Sequence, residues 1–166
     1  RAIASRASAF GMRVWGVRRS PQPTPGFEQV VGIDEWRELL PEADYVVIAT
    51  PLTPDTRGMI DAAALRSMQA SAYLINIARG AIVDEAALLT ALKEGWIAGA
   101  GLDTFSTEPL PSNSLFWSLP NVFVTPHCSA ATPQTIQRIV DLFLDNLTRY
   151  RQGQPLKNVV DKQAGY

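Results

Sequence analysis

Cysteine and histidine are almost absent from this sequence of 166 residues. It contains one cysteine, Cys128, and one histidine, His127. A single cysteine cannot form an internal disulfide, and these two side chains are too few for a structural zinc site, so no metal ligand is predicted. The low cysteine content indicates a reducing compartment, and we expect the cytoplasm.

The sequence also lacks an excess of charge and a long apolar run. Its 15 basic and 16 acidic residues nearly cancel, and no positive stripe is present, so nucleic acid is not expected as a partner. No apolar run approaches the roughly 20 residues that span a bilayer, and residues 1–10 do not form a signal peptide, so no membrane partner is expected. With 46% hydrophobic residues, the chain is long enough for one domain with its own core.

The only histidine makes the stretch 121–132 a candidate for proton chemistry. His127 follows the short apolar run 122–124, which is closed by Pro126. A histidine here is predicted to lie at the carboxyl end of a strand, where ligands collect in open α/β sheets. Considered alone, a single histidine is more often a solvated surface residue or one satisfied by hydrogen bonds in a core.

Strands and helices alternate along the chain. This order predicts a parallel sheet with right-handed crossovers, that is, an α/β, doubly wound, Rossmann-like domain with helices on both faces. Gly99 and Gly101 weaken one predicted strand unless a neighbour must approach its backbone closely. The predicted strands are 12–17, 45–49, 73–77, 96–102 and 122–124, and the predicted helices are 1–10, 34–40, 61–68, 85–94 and 133–150.

Several helix ends carry local signals. Asp84 is predicted to cap the helix 85–94, with Gly95 just past its end. Asp34 is predicted to cap the short helix 34–40, which follows the proline-rich loop at residues 20–26. Thr132 is predicted to cap the last helix and Pro133 to open it, with its apolar residues in one stripe.

Four motifs follow one another in a specific order. They read VVIATPLTPDTRGMI, LINIARGAIVDEAALLTALKEGWIAGAGLDTF, STEPLP and LPNVFVTPHCSAAT. Together they resemble the nucleotide-binding domain of the D-isomer-specific 2-hydroxyacid dehydrogenases, the family of glyoxylate/hydroxypyruvate reductases and phosphoglycerate dehydrogenase. The resemblance covers essentially the whole chain and implies an oxidoreductase that acts on small 2-keto or 2-hydroxy acids.

The resemblance implies three catalytic residues, Arg79, Glu108 and His127. Reduction of a 2-keto acid needs a proton at the carbonyl oxygen, which a histidine can deliver, while a carboxylate orients the ring and favours its charged form. An arginine offers a fork that matches the substrate carboxylate. Taken singly, Arg79 is also compatible with a surface ion pair, and Glu108 with a solvated loop acid.

The resemblance also implies a nicotinamide dinucleotide. Members that prefer NAD carry an acid at the end of the second strand, whereas this chain has Arg18, Arg19 and Ser20 there, which suit a 2′-phosphate. We therefore expect a preference for NADP(H), although a solvated loop is the alternative reading. The other expected cofactor-binding residues are Thr50, Pro51, Leu52, Thr56, Ile77, Ala78, Arg79, Asp103, His127, Ser129 and Ala130.

The motif G-x-G-x-x-G and its preceding strand do not occur in the sequence. Because that strand is central in the order 3-2-1-4-5-6, we expect a gap between the second and fourth strands of this order. We interpret residues 1–150 as a partial dinucleotide-binding domain and residues 151–166 as a tail that returns to an N-terminal substrate domain. The resemblance further implies a homodimer.

Two other functions remain open at this point. The first is a dinucleotide-sensing interaction protein, since corepressors related to this family keep the fold and much of the catalytic set. The second is a fragment that is inactive on its own and serves only in folding or dimerisation.

Overall fold

The computed structural model describes residues 1–163 and shows alternating helices and parallel strands. The expected α/β fold class is confirmed. In chain order the elements are α1 (Ala2–Ala9), β1 (Trp15–Val17), β2 (Gln29–Val31), a 3₁₀ helix (Trp36–Glu42), β3 (Tyr45–Ile48), α2 (Ala62–Ser67), β4 (Tyr73–Asn76), α3 (Glu85–Glu94), β5 (Gly99–Leu102), β6 (Val122–Val124) and α4 (Thr135–Arg151), with shorter 3₁₀ turns at Gly80–Ile82 and Leu115–Ser118.

The strands of the described residues form two separate parallel sheets. One contains β1 and β2, and the other has the order β3-β4-β5-β6. The separation falls between β1 and β3, which correspond to the second and fourth strands of the expected order. The predicted gap is therefore confirmed.

Helix α3 forms where the local signals predict it. The carboxylate of Asp84 accepts hydrogen bonds from the N–H groups of Ala86 and Ala87, and Gly95 takes the left-handed conformation with φ 71°. Leu88 and Leu92 lie on the buried face of this helix. Burial of one such leucine contributes about 2 kcal/mol, so packing rather than helix propensity holds α3 in place.

The core lies on one face of the four-stranded sheet, beneath α2 and α3. Alternate strand residues such as Leu74 and Leu102 are buried there, whereas Tyr45, Tyr73 and Phe123 on the opposite face are exposed. The loops that follow these strands are therefore supported from one side by a packed helical layer.

Close packing explains one of the two glycines in β5. A Cβ atom at Gly99 would lie 2.6 Å from the carbonyl oxygen of Asn121 and 2.7 Å from the ring of Tyr73, so the neighbouring groups need the space. A Cβ atom at Gly101 would meet only the side chain of Ile75, at 3.9 Å. The expected close approach is confirmed at Gly99 and is not found at Gly101.

Some predicted boundaries were wrong. Strand β2 was missed, and β5 begins at Gly99 because residues 96–98 form a bend. Asp34 does not cap a helix: the segment is a 3₁₀ helix that begins at Trp36 and contains Pro41, which cannot donate the hydrogen bond of an α-helix.

The last helix begins two residues later than its cap signal predicts. Thr132 is not the N-cap, because its hydroxyl pairs at 2.9 Å with the hydroxyl of Thr135 in a preceding turn. None of the residues of α4 is buried, and the predicted apolar stripe, which includes Ile139 and Phe143, is exposed. The tail folds back so that Asn146 exchanges two hydrogen bonds with the backbone of Lys157, while residues 164–166 lie outside the described residues.

Candidate active site

The carboxyl ends of β4, β5 and β6 are linked by backbone hydrogen bonds. The N–H of Asp103 donates to the carbonyl of Asn76 at 2.9 Å, and the N–H of His127 donates to the carbonyl of Asp103 at 2.9 Å. Because neighbouring parallel strands end at the same edge, residues that follow them in sequence lie side by side. The turns that carry Arg79, Glu108 and His127 all leave this edge.

Arg79 lies in a turn that the side chain of Asn76 stabilises with two hydrogen bonds. The side chain of Asn76, only 1% exposed, donates to the carbonyl of Arg79 at 3.0 Å and accepts from the N–H of Ala78 at 3.0 Å. A buried amide with both ends bonded fixes the direction in which Arg79 leaves the turn. Its guanidinium, on an exposed residue, donates to the carbonyl of Ala78 at 2.7 Å.

Glu108 is held at both carboxylate oxygens. Oε1 accepts from the N–H of Phe105 at 2.9 Å, and Oε2 lies 2.8 Å from Nδ1 of His127. These two hydrogen bonds hold the pKa of Glu108 below its ordinary value. The bond from His127 has the larger effect, the bond from Phe105 the smaller one, and the charge of Arg79 lowers the pKa further. Glu108 is therefore ionised near neutral pH.

An ionised carboxylate only accepts hydrogen bonds, so Nδ1 of His127 is the donor in this pair. The other ring nitrogen, Nε2, is therefore the one available for contact with a bound molecule. The imidazole retains 45% of its side-chain exposure, which makes it accessible from the crevice. The geometry thus provides an oriented acid–base group.

Asp103 holds the loop that carries His127. Its Oδ1 accepts from the hydroxyl of Thr125 at 2.5 Å and from the N–H of Cys128 at 2.9 Å, and its Oδ2 accepts from the N–H of Ser129 at 2.9 Å. Burial alone would raise the pKa of Asp103, but these hydrogen bonds outweigh it and hold the pKa well below its ordinary range.

This anchoring offsets an unfavourable backbone conformation. His127 has φ 51°, in the left-handed region, which costs a residue other than glycine about 1 kcal/mol or more. Three hydrogen bonds to one buried carboxylate keep the loop in this shape. Because both oxygens of Asp103 serve the loop, contact between Asp103 and a nicotinamide carboxamide stays a prediction.

The expected cofactor residues fall into two groups. Those after β3 to β6 lie at the edge shared with Arg79 and His127; among them, the hydroxyl of Thr56 donates to the carbonyl of Pro51 at 2.8 Å and thus shapes its own loop. Arg18, Arg19 and Ser20 follow β1 in the other sheet, and no hydrogen bond within residues 1–163 joins the two sheets' strands. The group at the edge shared with Arg79 and His127 also contains Pro51 and Thr56, together with Thr50, Leu52, Ile77, Ala78, Asp103, Ser129 and Ala130.

Two residues that support the site, Gly80 and Asn76, were not predicted from the sequence. A Cβ atom at Gly80 would lie 1.9 Å from the carbonyl carbon of Phe105, so only glycine lets the turn after Arg79 approach the Phe105–Ser106 peptide. Asn76 was assigned only to a strand. The polar residue inside the buried run LINIA was a usable signal for Asn76, since an amide in such a run needs a partner.

Fold and site together define a class, a dinucleotide-binding domain of the Rossmann type with an acid–base pair at the carboxyl edge of its sheet. Residues 1–129 match the sequence model of the family "D-isomer specific 2-hydroxyacid dehydrogenase, NAD binding domain". The chain belongs to the D-isomer-specific 2-hydroxyacid dehydrogenase family.

Several known proteins are similar to the chain. It is 43% identical over 163 residues to the glyoxylate reductase of Thermococcus kodakarensis, covering 98% of this chain and 49% of that protein. It is 41% identical to the glycerate dehydrogenase of Methylorubrum extorquens, covering 97% of this chain and 49% of that protein. The chain thus spans about half the length of these relatives.

A solved structure, an NADPH-dependent glyoxylate/hydroxypyruvate reductase from Sinorhizobium meliloti in complex with NADP and sulfate, superimposes with a TM-score of 0.92 at 35% identity, covering 99% of this chain and 53% of that chain. A D-isomer-specific 2-hydroxyacid dehydrogenase from Xanthobacter autotrophicus in complex with NADPH and MES gives 0.90 at 40% identity, covering 99% of this chain and 67% of that chain. Within residues 1–163, no helix is long and apolar enough to cross a membrane.

Proposed function

We propose that this chain is the nucleotide-binding and catalytic half of an NADP(H)-preferring reductase of small 2-keto acids such as glyoxylate or hydroxypyruvate. The observation that carries the proposal is the His127–Glu108 pair, with 2.8 Å between Nδ1 and Oε2, on the sheet edge that also bears Arg79. Similarity to glyoxylate reductases supports the proposed substrate class.

In this proposal His127 is the proton donor. Glu108 binds Nδ1 and leaves Nε2 to protonate the carbonyl oxygen as the carbon is reduced. In the reverse direction, Nε2 removes the proton from the hydroxyl of the 2-hydroxy acid. Because Glu108 stays ionised, it compensates the positive charge that the ring carries before the proton leaves.

Arg79 binds the substrate carboxylate in this proposal. Its guanidinium is exposed at the edge and near enough to Glu108 to lower the pKa of that carboxyl. Binding of a keto acid would replace the hydrogen bond to Ala78 by a bidentate pair, which also polarises the adjacent carbonyl group. Hydride transfer itself is the chemistry that a reduced nicotinamide supplies when bound.

The donor set fits a dinucleotide that carries a 2′-phosphate. Arg18 and Ser20 follow β1, and within residues 1–163 the guanidinium of Arg18 makes one side-chain hydrogen bond, from Nη1 to the hydroxyl of Thr24 at 3.3 Å. Its remaining donors suit phosphate oxygens, with Arg19 adding a second positive charge. Ile77, 36% exposed, offers an apolar contact for the nicotinamide ring at the edge.

The proposal extends to the whole protein. It includes a domain at residues 1–150 with a tail at 151–166 that returns to a substrate domain, a cytoplasmic homodimer, and a small 2-keto or 2-hydroxy acid as the partner molecule. The relatives' length, about twice that of this chain, supports a second domain.

Steady-state turnover of the full-length protein tests the proposal. We expect NADPH to be oxidised with glyoxylate and hydroxypyruvate, and kcat/KM to be higher for NADPH than for NADH. Absence of turnover together with tight dinucleotide binding would favour a sensor instead. A higher kcat/KM for NADH would contradict the proposed role of Arg18, Arg19 and Ser20 without affecting the reaction class.

A further inference from the structure

The carboxylate of Glu85 reaches across from helix α3 to the loop that carries Glu108. Its Oε1 accepts a hydrogen bond from the N–H of Ser106 at 2.6 Å, although the two residues are 21 positions apart in sequence. The side chain of Glu85 does not cap the first turn of α3, because the carboxylate of Asp84 accepts the hydrogen bonds from the N–H groups of Ala86 and Ala87. The side chain of Glu85 is therefore engaged with the loop rather than with its own helix.

The peptide that Glu85 binds is also the one that packs against the arginine turn. A Cβ atom at Gly80 would lie 1.9 Å from the carbonyl carbon of Phe105 and 2.2 Å from the nitrogen of Ser106. The Phe105–Ser106 peptide is thus fixed by contact with Gly80 and by the hydrogen bond to Glu85. One peptide connects the residue after Arg79 to the loop of Glu108.

The next link leads to the acid–base pair. The N–H of Phe105 donates to Oε1 of Glu108 at 2.9 Å, and Oε2 of Glu108 binds Nδ1 of His127. The N–H of Phe105 lies in the neighbouring Thr104–Phe105 peptide, so a shift of the Phe105–Ser106 peptide is passed through the Cα of Phe105 to the donor that binds Glu108. Misplacement of a catalytic group by as little as about 1 Å is enough to reduce turnover strongly.

We infer that Glu85 is a positioning residue, which acts through the Phe105–Ser106 peptide to hold Glu108 in contact with His127. This inference rests on the proposed function for its effect on catalysis. Its structural part, the dependence of the His127–Glu108 hydrogen bond on Glu85, does not require the protein to be a reductase.

Three variants test this role. Glu85→Ala removes the acceptor, Glu85→Gln keeps an amide oxygen that accepts the same N–H, and Asp84→Ala is a matched control that weakens the same helix end but leaves the Ser106 hydrogen bond intact. In the full-length enzyme, we expect Glu85→Ala to lower kcat about tenfold, with KM for the keto acid changed less than about twofold. Glu85→Gln restores most of kcat, and Asp84→Ala lowers the melting temperature without lowering kcat.

A second readout is independent of activity. In a ¹⁵N-histidine NMR spectrum of the full-length protein, the ring signals of His127 are identified as those that are missing from the spectrum of His127→Gln. We expect the hydrogen-bonded Nδ1–H signal in the wild type, in Glu85→Gln and in Asp84→Ala, and its broadening or loss in Glu85→Ala. An unchanged signal in Glu85→Ala overturns the inference.

The two readouts separate the possible failures. If the wild-type enzyme reduces no keto acid, the proposed function fails, while the NMR comparison still decides the role of Glu85. If the wild type turns over and Glu85→Ala keeps its kcat within about twofold, the inference fails and the proposed function stands. Equal losses of kcat in Glu85→Ala and Asp84→Ala would also overturn it, because general helix stability would then explain both.

Discussion

Replacing Asp103 by asparagine should destabilise the loop that presents His127. Asp103 is 3% exposed and accepts hydrogen bonds from Thr125, Cys128 and Ser129. Asparagine keeps one oxygen, so it loses the charge and at least one of these bonds. With about 1.5–3 kcal/mol for each hydrogen bond to a charged group, the expected loss in the free energy of unfolding is roughly 3 kcal/mol.

Thermal unfolding followed by circular dichroism gives the magnitude. For a domain of this size, about 3 kcal/mol lowers the melting temperature by roughly 6 to 12 °C at neutral pH. The exposed Asp34, which caps no helix, provides the control. Asp34→Asn should shift the free energy of unfolding by less than about 0.5 kcal/mol.

The pH dependence tests the cause. Because folding lowers the pKa of Asp103, its contribution to stability is full above the unfolded value of about 3.9 and decreases as pH falls toward the lower folded value. The difference in melting temperature between wild type and Asp103→Asn should therefore be constant above about pH 5 and shrink below about pH 4. A difference that is absent at pH 7, or that stays the same at pH 3, would refute this reasoning.

Three other substitutions give separate tests. Glu108→Gln removes the charge beside His127, and kcat should fall about 10- to 100-fold with little change in KM; activity within twofold of the wild type would contradict the pairing. Arg79→Lys loses the bidentate fork, so KM for the keto acid should rise at least about tenfold in steady-state assays, and an unchanged KM would exclude the proposed contact. Gly80→Ala forces a Cβ onto the backbone of Phe105 and should cost about 3 kcal/mol or more in urea unfolding, whereas Gly101→Ala, the control, makes only an ordinary van der Waals contact with the side chain of Ile75 and should cost far less.

Elements with strong local signals were predictable from the sequence. Helix α3 has an N-cap aspartate, an apolar face and a glycine just past its end, and all three signals lie within one segment. Strand β3 is an uninterrupted apolar run, and β4 is apolar except for Asn76; the two pair in parallel as predicted, although Tyr45 and Tyr73 leave one face exposed. The gap between β1 and β3 followed from a strand order rather than from any single residue.

Errors arose where a short element or a competing contact decided the outcome. Strand β2 has only three residues, too few for a periodic pattern, and it is stabilised by pairing with β1. Asp34 and Thr132 carry the side chains of N-caps, but Pro41 and the Thr132–Thr135 hydroxyl pair favour other local geometries. A capping signal is only a preference, and nearby hydrogen bonds can override it.

The side chains proposed as catalytic were predicted from their motifs, whereas the residues that support them were not. The contacts of Asp103 with residues 125–129 and of Glu85 with Ser106 join segments more than 20 residues apart in sequence. The Asp103 contacts form only after β5 and β6 lie side by side, and the Glu85–Ser106 contact forms only after α3 lies beside the segment that follows β5. No local pattern in the sequence encodes them, so they become visible only in the folded chain.

The central claim is that His127 donates the proton in reduction of a 2-keto acid. Its direct test is kcat for NADPH oxidation with hydroxypyruvate in the full-length enzyme, compared between wild type and His127→Gln, with the dissociation constant for NADPH measured in parallel. We predict a kcat lower by about 10²- to 10⁴-fold at unchanged NADPH affinity. A His127→Gln enzyme that keeps at least about half of the wild-type kcat would contradict the claim.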